Sequence, residues 1–188
     1  MYTTLNQPLL EDFISRVLNL EALAVTKQQP GLLGAHFYAG GFVPAALASG
    51  GTDTAGVATQ VWVGELRIDG NTPITGLSYL IGSVGGTDKA IAVLYDANGN
   101  VLATSALAGV TVGTASTFQR LPFITPFQAE PGLYYVGIST NGTTAKIQTQ
   151  AAGDHNAGVI TGQTFGTVVA IAPPSSFTAA KSPIAVTY

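Results

Sequence analysis

The sequence predicts a mainly β protein, with an antiparallel β-sandwich or jelly roll over residues 57–188 and a short N-terminal amphipathic helix with an extended arm over residues 1–56. The first observation is that residues 57–150 contain short runs rich in Val, Ile, Leu and Tyr, which suit a pleated, half-buried surface. The second is that Gly-rich turns separate these runs and no helical pattern intervenes. Strands spaced in this way are typical of antiparallel sandwiches.

Four of these runs have the clearest strand character, and Asn, Asp and Gly stand between runs where a positive φ is tolerated. The runs are residues 60–68, 74–81, 90–95 and 133–138. Three turns are predicted to close hairpins, namely Asp69-Gly70-Asn71, Asn98-Gly99-Asn100 and Asn141-Gly142. The hairpin over residues 93–103 is the clearest of them.

Prolines and the end of the chain complete the strand pattern. Pro122, Pro126 and Pro131 bracket residues 123–127, and proline has no N–H to donate to a ladder. We therefore expect an edge strand or a bend there. The closing run, residues 184–188, is expected either to complete a sheet or to reach a neighbouring molecule.

Residues 7–25 have the pattern of an amphipathic helix. Pro8 suits the first turn, Glu11 and Asp12 lie where the helix dipole favours negative charge, and Asp12 with Arg16 is an i,i+4 pair. The opposite face is apolar and consists of Leu9, Leu10, Phe13, Ile14, Val17, Leu18 and Leu20. This face is too wide for solvent, so the helix either folds back on the sheet core or packs against symmetry mates or a host structure. Residues 31–56 are rich in Gly and Ala and are interpreted as a linker or extended arm.

The composition points to an assembly protein. Charged residues make up 9% of the 188 residues, against about 25% in an average soluble domain. A surface with so few charges has little electrostatic protection against association. Such a surface is more stable when other subunits cover much of it.

Several partners are not expected. Nucleic acid binding needs clustered Lys and Arg, whereas the seven basic residues are scattered and the formal net charge is −3. No strongly apolar, uncharged run is long enough for a membrane span, and the N-terminus lacks the pattern of a secretory signal. The chain has no cysteine, which excludes disulfides and thiol chemistry.

No catalytic or metal-binding constellation is apparent, and we expect neither enzymatic activity nor a cofactor. The two histidines, His36 and His155, lie far apart in sequence, and Asp154-His155-Asn156 is interpreted as a solvated turn. Four aspartates occupy Gly- or Asn-containing turns, where they serve the backbone more often than calcium. They are Asp53, Asp69, Asp88 and Asp96.

The alternative function is carbohydrate binding by a β-sandwich module of a tail fibre or cell-surface protein. Aromatic side chains can provide a stacking platform for sugars. The candidates are Trp62, Tyr79, Tyr95, Phe118, Tyr134 and Tyr135. Most of them alternate within predicted strands, however, so we expect most to belong to the core.

A resemblance to a known group of proteins is carried by three stretches between about Thr72 and Thr149. They are Ile74-Thr-Gly-Leu-Ser-Tyr-Leu-Ile-Gly82, Gly86-Thr-Asp-Lys-Ala-Ile-Ala-Val-Leu-Tyr-Asp-Ala-Asn-Gly-Asn100 and Pro131-Gly-Leu-Tyr-Tyr-Val-Gly-Ile138. This segment is similar to jelly-roll domains of tailed-bacteriophage virion proteins, in particular capsid decoration or cement proteins and related fibre modules.

The resemblance implies a role in the virion. A protein of this kind is made in the host cytoplasm, forms a homotrimer, binds the major capsid protein or another virion protein, and stabilises the head by bridging capsomers on the capsid surface. The resemblance carries over no functional residue. From the helical pattern we expect the partner-binding residues to be Leu9, Leu10, Phe13, Ile14, Val17 and Leu18, within the arm.

Overall fold

The structure, a computed structural model, describes residues 51–68, 71–151 and 155–188. Within these residues the chain is all β, with antiparallel ladders. The predicted helix, its apolar face and most of the arm lie outside the described residues. The strands are β1 (Gly51–Ala55), β2 (Gln60–Ile68), β3 (Thr72–Leu80), β4 (Lys89–Asp96), β5 (Val101–Thr104), β6 (Val110–Thr111), β7 (Phe118–Ala129), β8 (Gly132–Thr140), β9 (Lys146–Gln150), β10 (Ala157–Thr161), β11 (Ser182–Pro183) and β12 (Ala185–Thr187).

These strands form three sheets. The largest has six strands in the order β10-β2-β8-β4-β5, with β6 also paired to β4. The other two have the orders β12-β3-β7 and β1-β9-β11. Ile184 alone separates β11 from β12, so residues 182–188, which we call the closing segment, join the β9 sheet to the β3 sheet. The pairing of β12 with β3 confirms that residues 184–188 complete a sheet.

The main core lies between the six-stranded sheet and the β3 sheet. Alternate residues of β2, β4 and β8 point into it, and residues of β3, β7 and the closing segment meet them. The side chains of Trp62, Leu77, Leu94, Leu121 and Ile138 are each almost completely buried there. Burying a large apolar side chain contributes about 1.5–3 kcal/mol, so this cluster supplies much of the folding free energy.

The opposite face of the six-stranded sheet is covered by residues 163–171, which we call the strap. The strap is held to the domain by backbone hydrogen bonds, with Gln163 N donating to Thr59 O at 3.0 Å and Ile171 N to Gly99 O at 2.9 Å. Ile171 packs in a second cluster with Val61, Val93 and other residues of that face. All residues of β4 between its two ends are therefore buried.

Of the three predicted hairpins, only the one at Asn98-Gly99-Asn100 is confirmed, with Val93 opposite Thr104 in the β4–β5 ladder. The other two predictions were wrong, because β2 and β3 lie in different sheets, as do β8 and β9. At the Asn141-Gly142 turn, Asn141 Oδ1 accepts the Lys89 N–H at 2.6 Å. This turn is therefore bound to the start of β4 and does not close a hairpin between β8 and β9.

The predicted edge strand is confirmed by β7, which is the last strand in the order β12-β3-β7. Pro122 lies opposite Gly76, next to a register shift between Ile74 and Gly76. β1, in turn, lies within the range that the sequence assigned to the arm, and it pairs with β9. The sheet structure therefore includes residues 51–55.

Gly99→Ala should destabilise the protein more than Gly162→Ala, although both glycines have a positive φ, 85° and 76°. A Cβ at Gly99 would collide with the Ile171 carbonyl oxygen, whereas one at Gly162 has no atom within 4 Å. Gly162→Ala should lower the free energy of unfolding by about 1 kcal/mol, because alanine disfavours the left-handed backbone conformation. Gly99→Ala should cost about 2–4 kcal/mol, because it also displaces the strap. Urea unfolding measures both, and equal losses would contradict the proposed packing of the strap.

Candidate functional site

The clearest candidate surface in the described part of the chain is one side of the edge strand β7. Four exposed side chains alternate along its first half, namely Phe118, Arg120, Pro122 and Ile124, and we call this set the β7 face. The intervening Leu121 and Phe123 point into the core, as strand alternation requires. Ile124 is 67% exposed and Phe118 44%, and the other exposed large apolar side chains lie on connecting segments.

The cation on the β7 face is covered by an aromatic ring. The Arg120 guanidinium lies 4.5 Å from the centroid of the Tyr188 ring, a cation–π contact. Thr75 N donates to Tyr188 O at 2.6 Å, and Tyr188 N donates to Gly76 O at 3.2 Å, which holds the ring in place. Burial raises the pKa of Tyr188, and the nearby Arg120 charge acts in the opposite direction.

Gly76 makes this arrangement possible. A Cβ at this position would lie 2.6 Å from Cζ of Tyr188 and 2.7 Å from the carbonyl oxygen of Leu121. The absence of a side chain therefore lets the Tyr188 ring lie flat on β3 beside Arg120. With its one charge stacked in this way, the β7 face presents mainly apolar surface.

The prolines of β7 limit strand addition at its edge. Pro122 and Pro126 have no N–H, and Phe123 is already bridged to Ser105, so an added strand cannot pair with β7 along its whole length. The surface that β7 offers is therefore the side chains of the β7 face. The prolines predicted the edge strand, but the exposure of Phe118 and Ile124 could not be read from the sequence.

His155 is buried, so the prediction of a solvated turn at this residue was wrong. Its Nε2 lies 2.9 Å from Ser182 Oγ, and its ring meets Phe177 edge-on at a centroid distance of 5.3 Å. Ser182 is only 1% exposed and packs beside Gly64, so a substrate cannot reach the hydroxyl without displacing the closing segment. A histidine hydrogen-bonded to a serine is also the pairing of a catalytic base with its nucleophile. Here the His155–Ser182 pair joins the segment before β10 to β11. No sequence pattern indicates Ser182 as the partner of His155, because the two residues are 27 positions apart.

A second polar cluster fastens β10 to β2. The Glu65 carboxylate accepts hydrogen bonds from Asn156 N at 3.2 Å and Asn156 Nδ2 at 2.8 Å. Arg67 Nε lies 3.5 Å from the other carboxylate oxygen, and its side chain is largely exposed. Burial and the Glu65 charge raise the pKa of the nearby Tyr135 hydroxyl, while its hydrogen bond with Asn156 lowers it. Because Glu65 is fully engaged, the cluster stabilises the fold.

The turn aspartates serve the backbone, as the sequence predicted. Asp53 accepts the Ser83 N–H at 3.0 Å, and Asp88 Oδ2 accepts two amides, Thr144 N and Ala145 N, at 2.8 Å each. Asp96 Oδ1 accepts the amides of Asn98 and Asn100 at 2.8 Å. Asp69 and Asp154 lie outside the described residues. Within residues 51–68, 71–151 and 155–188, no three His, Cys, Asp or Glu side chains are grouped to hold a metal ion.

Five of the six aromatic candidates for sugar stacking are buried, which confirms that most belong to the core. They are Trp62, Tyr79, Tyr95, Tyr134 and Tyr135. Burial raises the pKa of the Tyr79 and Tyr95 hydroxyls well above the ordinary tyrosine value. Phe118 is the member of this set that reaches solvent, and it lies on the β7 face.

One cavity lies between the strap and the six-stranded sheet, lined by Val61, Val93, Tyr95, Ser139 and Thr167 among others. Its volume is about 10 Å³, about the space that one water molecule needs. This space is too small for a metabolite.

Comparisons with protein-family models, with curated proteins and with solved structures found no match to this chain. In the part of the chain that the structure describes, no helix has the length and apolarity to cross a membrane. The interpretation of the β7 face therefore depends on the physical chemistry of this chain.

Asp96→Asn should reduce the loss of stability in acid. Hydrogen bonds from Asn100, Asn98 and Gly99, led by the Asn100 side chain, hold the pKa of Asp96 below its ordinary value. A depressed pKa stabilises the fold above the ordinary aspartate pKa, and this contribution disappears as the pH falls through the lower folded value. Solvent screens this turn, so the effect should be about 1 kcal/mol or less.

The measurement is urea unfolding of both proteins at a series of acidic pH values. The wild-type protein should lose more stability than Asp96→Asn across the window between the two pKa values. Parallel profiles across that window would show that the Asp96 carboxylate contributes no pH-dependent stability.

Proposed function

We propose that this chain is a non-enzymatic structural protein that associates with itself through the β7 face. Within that class, the proposal is a phage capsid decoration or cement protein that forms a homotrimer and stabilises the head by bridging capsomers. The observation that carries it is the β7 face, where Phe118 and Ile124 are exposed on the same side of an edge strand, with Arg120 and Pro122 between them.

The strand order supports a β-sandwich of the jelly-roll type. The six-stranded sheet contains the neighbours β2, β8, β4 and β6, and the sheet facing it contains β3 and β7. A bridge between Ser105 and Phe123 brings the end of β5 beside β7. This alternation between two facing sheets is the arrangement expected of a jelly roll, a fold that viral capsid domains use. It agrees with the resemblance of residues 72–149 to virion proteins.

The surface composition supports assembly for an energetic reason. Ten acidic and seven basic residues are spread over 188 residues, so few charges must be desolvated when two copies meet. Complete burial of Phe118 or Ile124 contributes about 1.5–3 kcal/mol each. Association costs about 4–15 kcal/mol in lost translational and rotational freedom. One β7 contact is therefore weak, and a stable assembly needs several modest contacts together.

The second set of contacts in this proposal comes from residues 1–56. The apolar set within Leu9 to Leu18 would bind the major capsid protein or another virion protein, and the arm would span from the β domain to the capsid lattice. Such a division of contacts makes attachment cooperative, because each weak contact raises the effective concentration of the next. The proposed location is the capsid surface, after synthesis in the host cytoplasm.

Carbohydrate binding has less support than self-association. Five of the six candidate aromatics are buried, and Phe118 alone is too small a platform for the multi-ring stacking that the alternative requires. Because the β7 face contains Phe118, the tests described below include a measurement of glycan binding.

Replacing both apolar anchors of the β7 face, as Phe118→Ser with Ile124→Ser, should lower the solution mass from that of the oligomer toward that of the monomer. The measurement is light scattering after size exclusion over a range of protein concentrations. The matched control is Val169→Ser, because Val169 is 47% exposed but lies on the strap. The control should keep the wild-type mass.

Two outcomes would contradict the proposal. A double variant with the wild-type mass would remove the β7 face as the self-association surface. A wild-type protein that is monomeric at all concentrations but binds a glycan on an array, with binding lost in Phe118→Ala, would favour the carbohydrate-binding function instead.

A further inference from the structure

Two Asn-Gly pairs occur in the sequence, at Asn98-Gly99 and Asn141-Gly142, and the fold treats them differently. Asparagine followed by glycine is chemically labile, because the missing side chain lets the glycine nitrogen approach the asparagine Cγ. The asparagine of each pair is exposed, but Gly99, in the β4–β5 hairpin, is buried, whereas Gly142, between β8 and β9, is half-buried. Sequence alone gives them equal reactivity.

We propose that Asn141 is a site of spontaneous deamidation in the folded protein and that the hairpin protects Asn98. The Gly142 backbone nitrogen forms a bond to Asn141 Cγ and loses its proton, and the side-chain nitrogen leaves as ammonia. The resulting five-membered imide is then opened by one water molecule to aspartate or isoaspartate. No electrons are transferred, and water is the only co-reactant.

The environment of Asn141 activates its side-chain carbonyl. The Lys89 N–H donates to Asn141 Oδ1 at 2.6 Å, so a fixed donor points at the oxygen on which negative charge develops during the attack. Asn141 N donates in turn to Lys89 O at 3.0 Å, which holds the residue against β4. Within the described residues the Gly142 N–H donates no hydrogen bond, so the attacking nitrogen is not engaged.

The environment of Asn98 has the opposite effect. The Gly99 N–H, the attacking group there, donates to Asp96 O at 3.0 Å, and Gly99 O accepts the Ile171 N–H at 2.9 Å. The backbone N–H of Asn98 also donates to Asp96 Oδ1, at 2.8 Å. The first of these bonds must break before attack, and the others hold the hairpin in its turn conformation. Breaking the bond from Gly99 N to Asp96 O and distorting the turn that the other two bonds hold corresponds to a rate lower by about tenfold or more.

The product at position 141 would change the surrounding loop. The Asp88 carboxylate lies against Gly142 and already accepts the amides of Thr144 and Ala145. A new carboxylate at position 141 would place two like charges beside each other, which is destabilising. Isoaspartate would also lengthen the backbone where Thr140 Oγ1 now donates to Gly142 O. Each event adds one negative charge to a chain of net charge −3.

The test is peptide mass mapping of the full chain during storage in mildly alkaline buffer, with and without strong denaturant. In denaturant both asparagines should react at similar rates, because neither has its folded environment. In the folded protein Asn141 should react about tenfold faster than Asn98 or more. Asn141→Gln should abolish the main modified species, and the matched variant Asn98→Gln should leave its rate unchanged.

Three results would overturn the inference. One is a folded protein in which Asn98 is modified as fast as Asn141. Another is a folded protein in which Asn141 is unmodified while it reacts in denaturant, since the Lys89 contacts would then protect it. The last is an unchanged level of modification in Asn141→Gln. The readout is independent of self-association and of any virion partner.

Discussion

The structure depends on covering both faces of the six-stranded sheet. β4 lies inside this sheet, and its residues from Ala90 to Tyr95 are buried without exception. One face is covered by the sheet that contains β3 and β7, and the other by the strap. Without the strap, Ile91, Val93 and Tyr95 would lose their cover, at a cost of about 1.5–3 kcal/mol for each large side chain.

This constraint explains how the polar residues are used. A chain with so few charged groups must still satisfy the backbone amides of its long connections. Asp53, Asp88, Asp96 and Glu65 do this by accepting hydrogen bonds from backbone amides of distant or neighbouring loops. Carboxylates engaged in this way are structural, and few other charges are left on the described surface. An apolar strand face on such a surface is the feature with the most free energy to gain from a partner.

Much of the fold followed from the sequence. The strand runs, the hairpin at Asn98-Gly99 and the proline-bearing edge strand depend on local rules, that is, on residue preference, positive φ and the missing N–H of proline. These features are present in the structure. The burial of most aromatic residues followed from their alternation in the same way.

The errors have a common physical cause, which is that sequence-distant contacts override local turn chemistry. Asn141-Gly142 has the composition of a hairpin turn, but its hydrogen bonds to Lys89 fasten it to another strand. His155 lies in a polar tripeptide, but Ser182 and Phe177 from the closing part of the chain bury it. The β7 face was missed for a related reason, since the exposure of Ile124 depends on which strands leave that side uncovered.

The central claim is that copies of this chain meet at the β7 face. Because the chain has no cysteine, a single Ile124→Cys substitution gives one defined reactive thiol, and Val169→Cys, at a residue that is 47% exposed, gives a comparison thiol away from the β7 face. A short bifunctional thiol cross-linker is then applied to the folded, full-length protein at low concentration. The account predicts efficient covalent pairs for Ile124→Cys and little product for Val169→Cys. If Ile124→Cys stays monomeric while oligomers persist in solution, the copies meet elsewhere and the account is wrong.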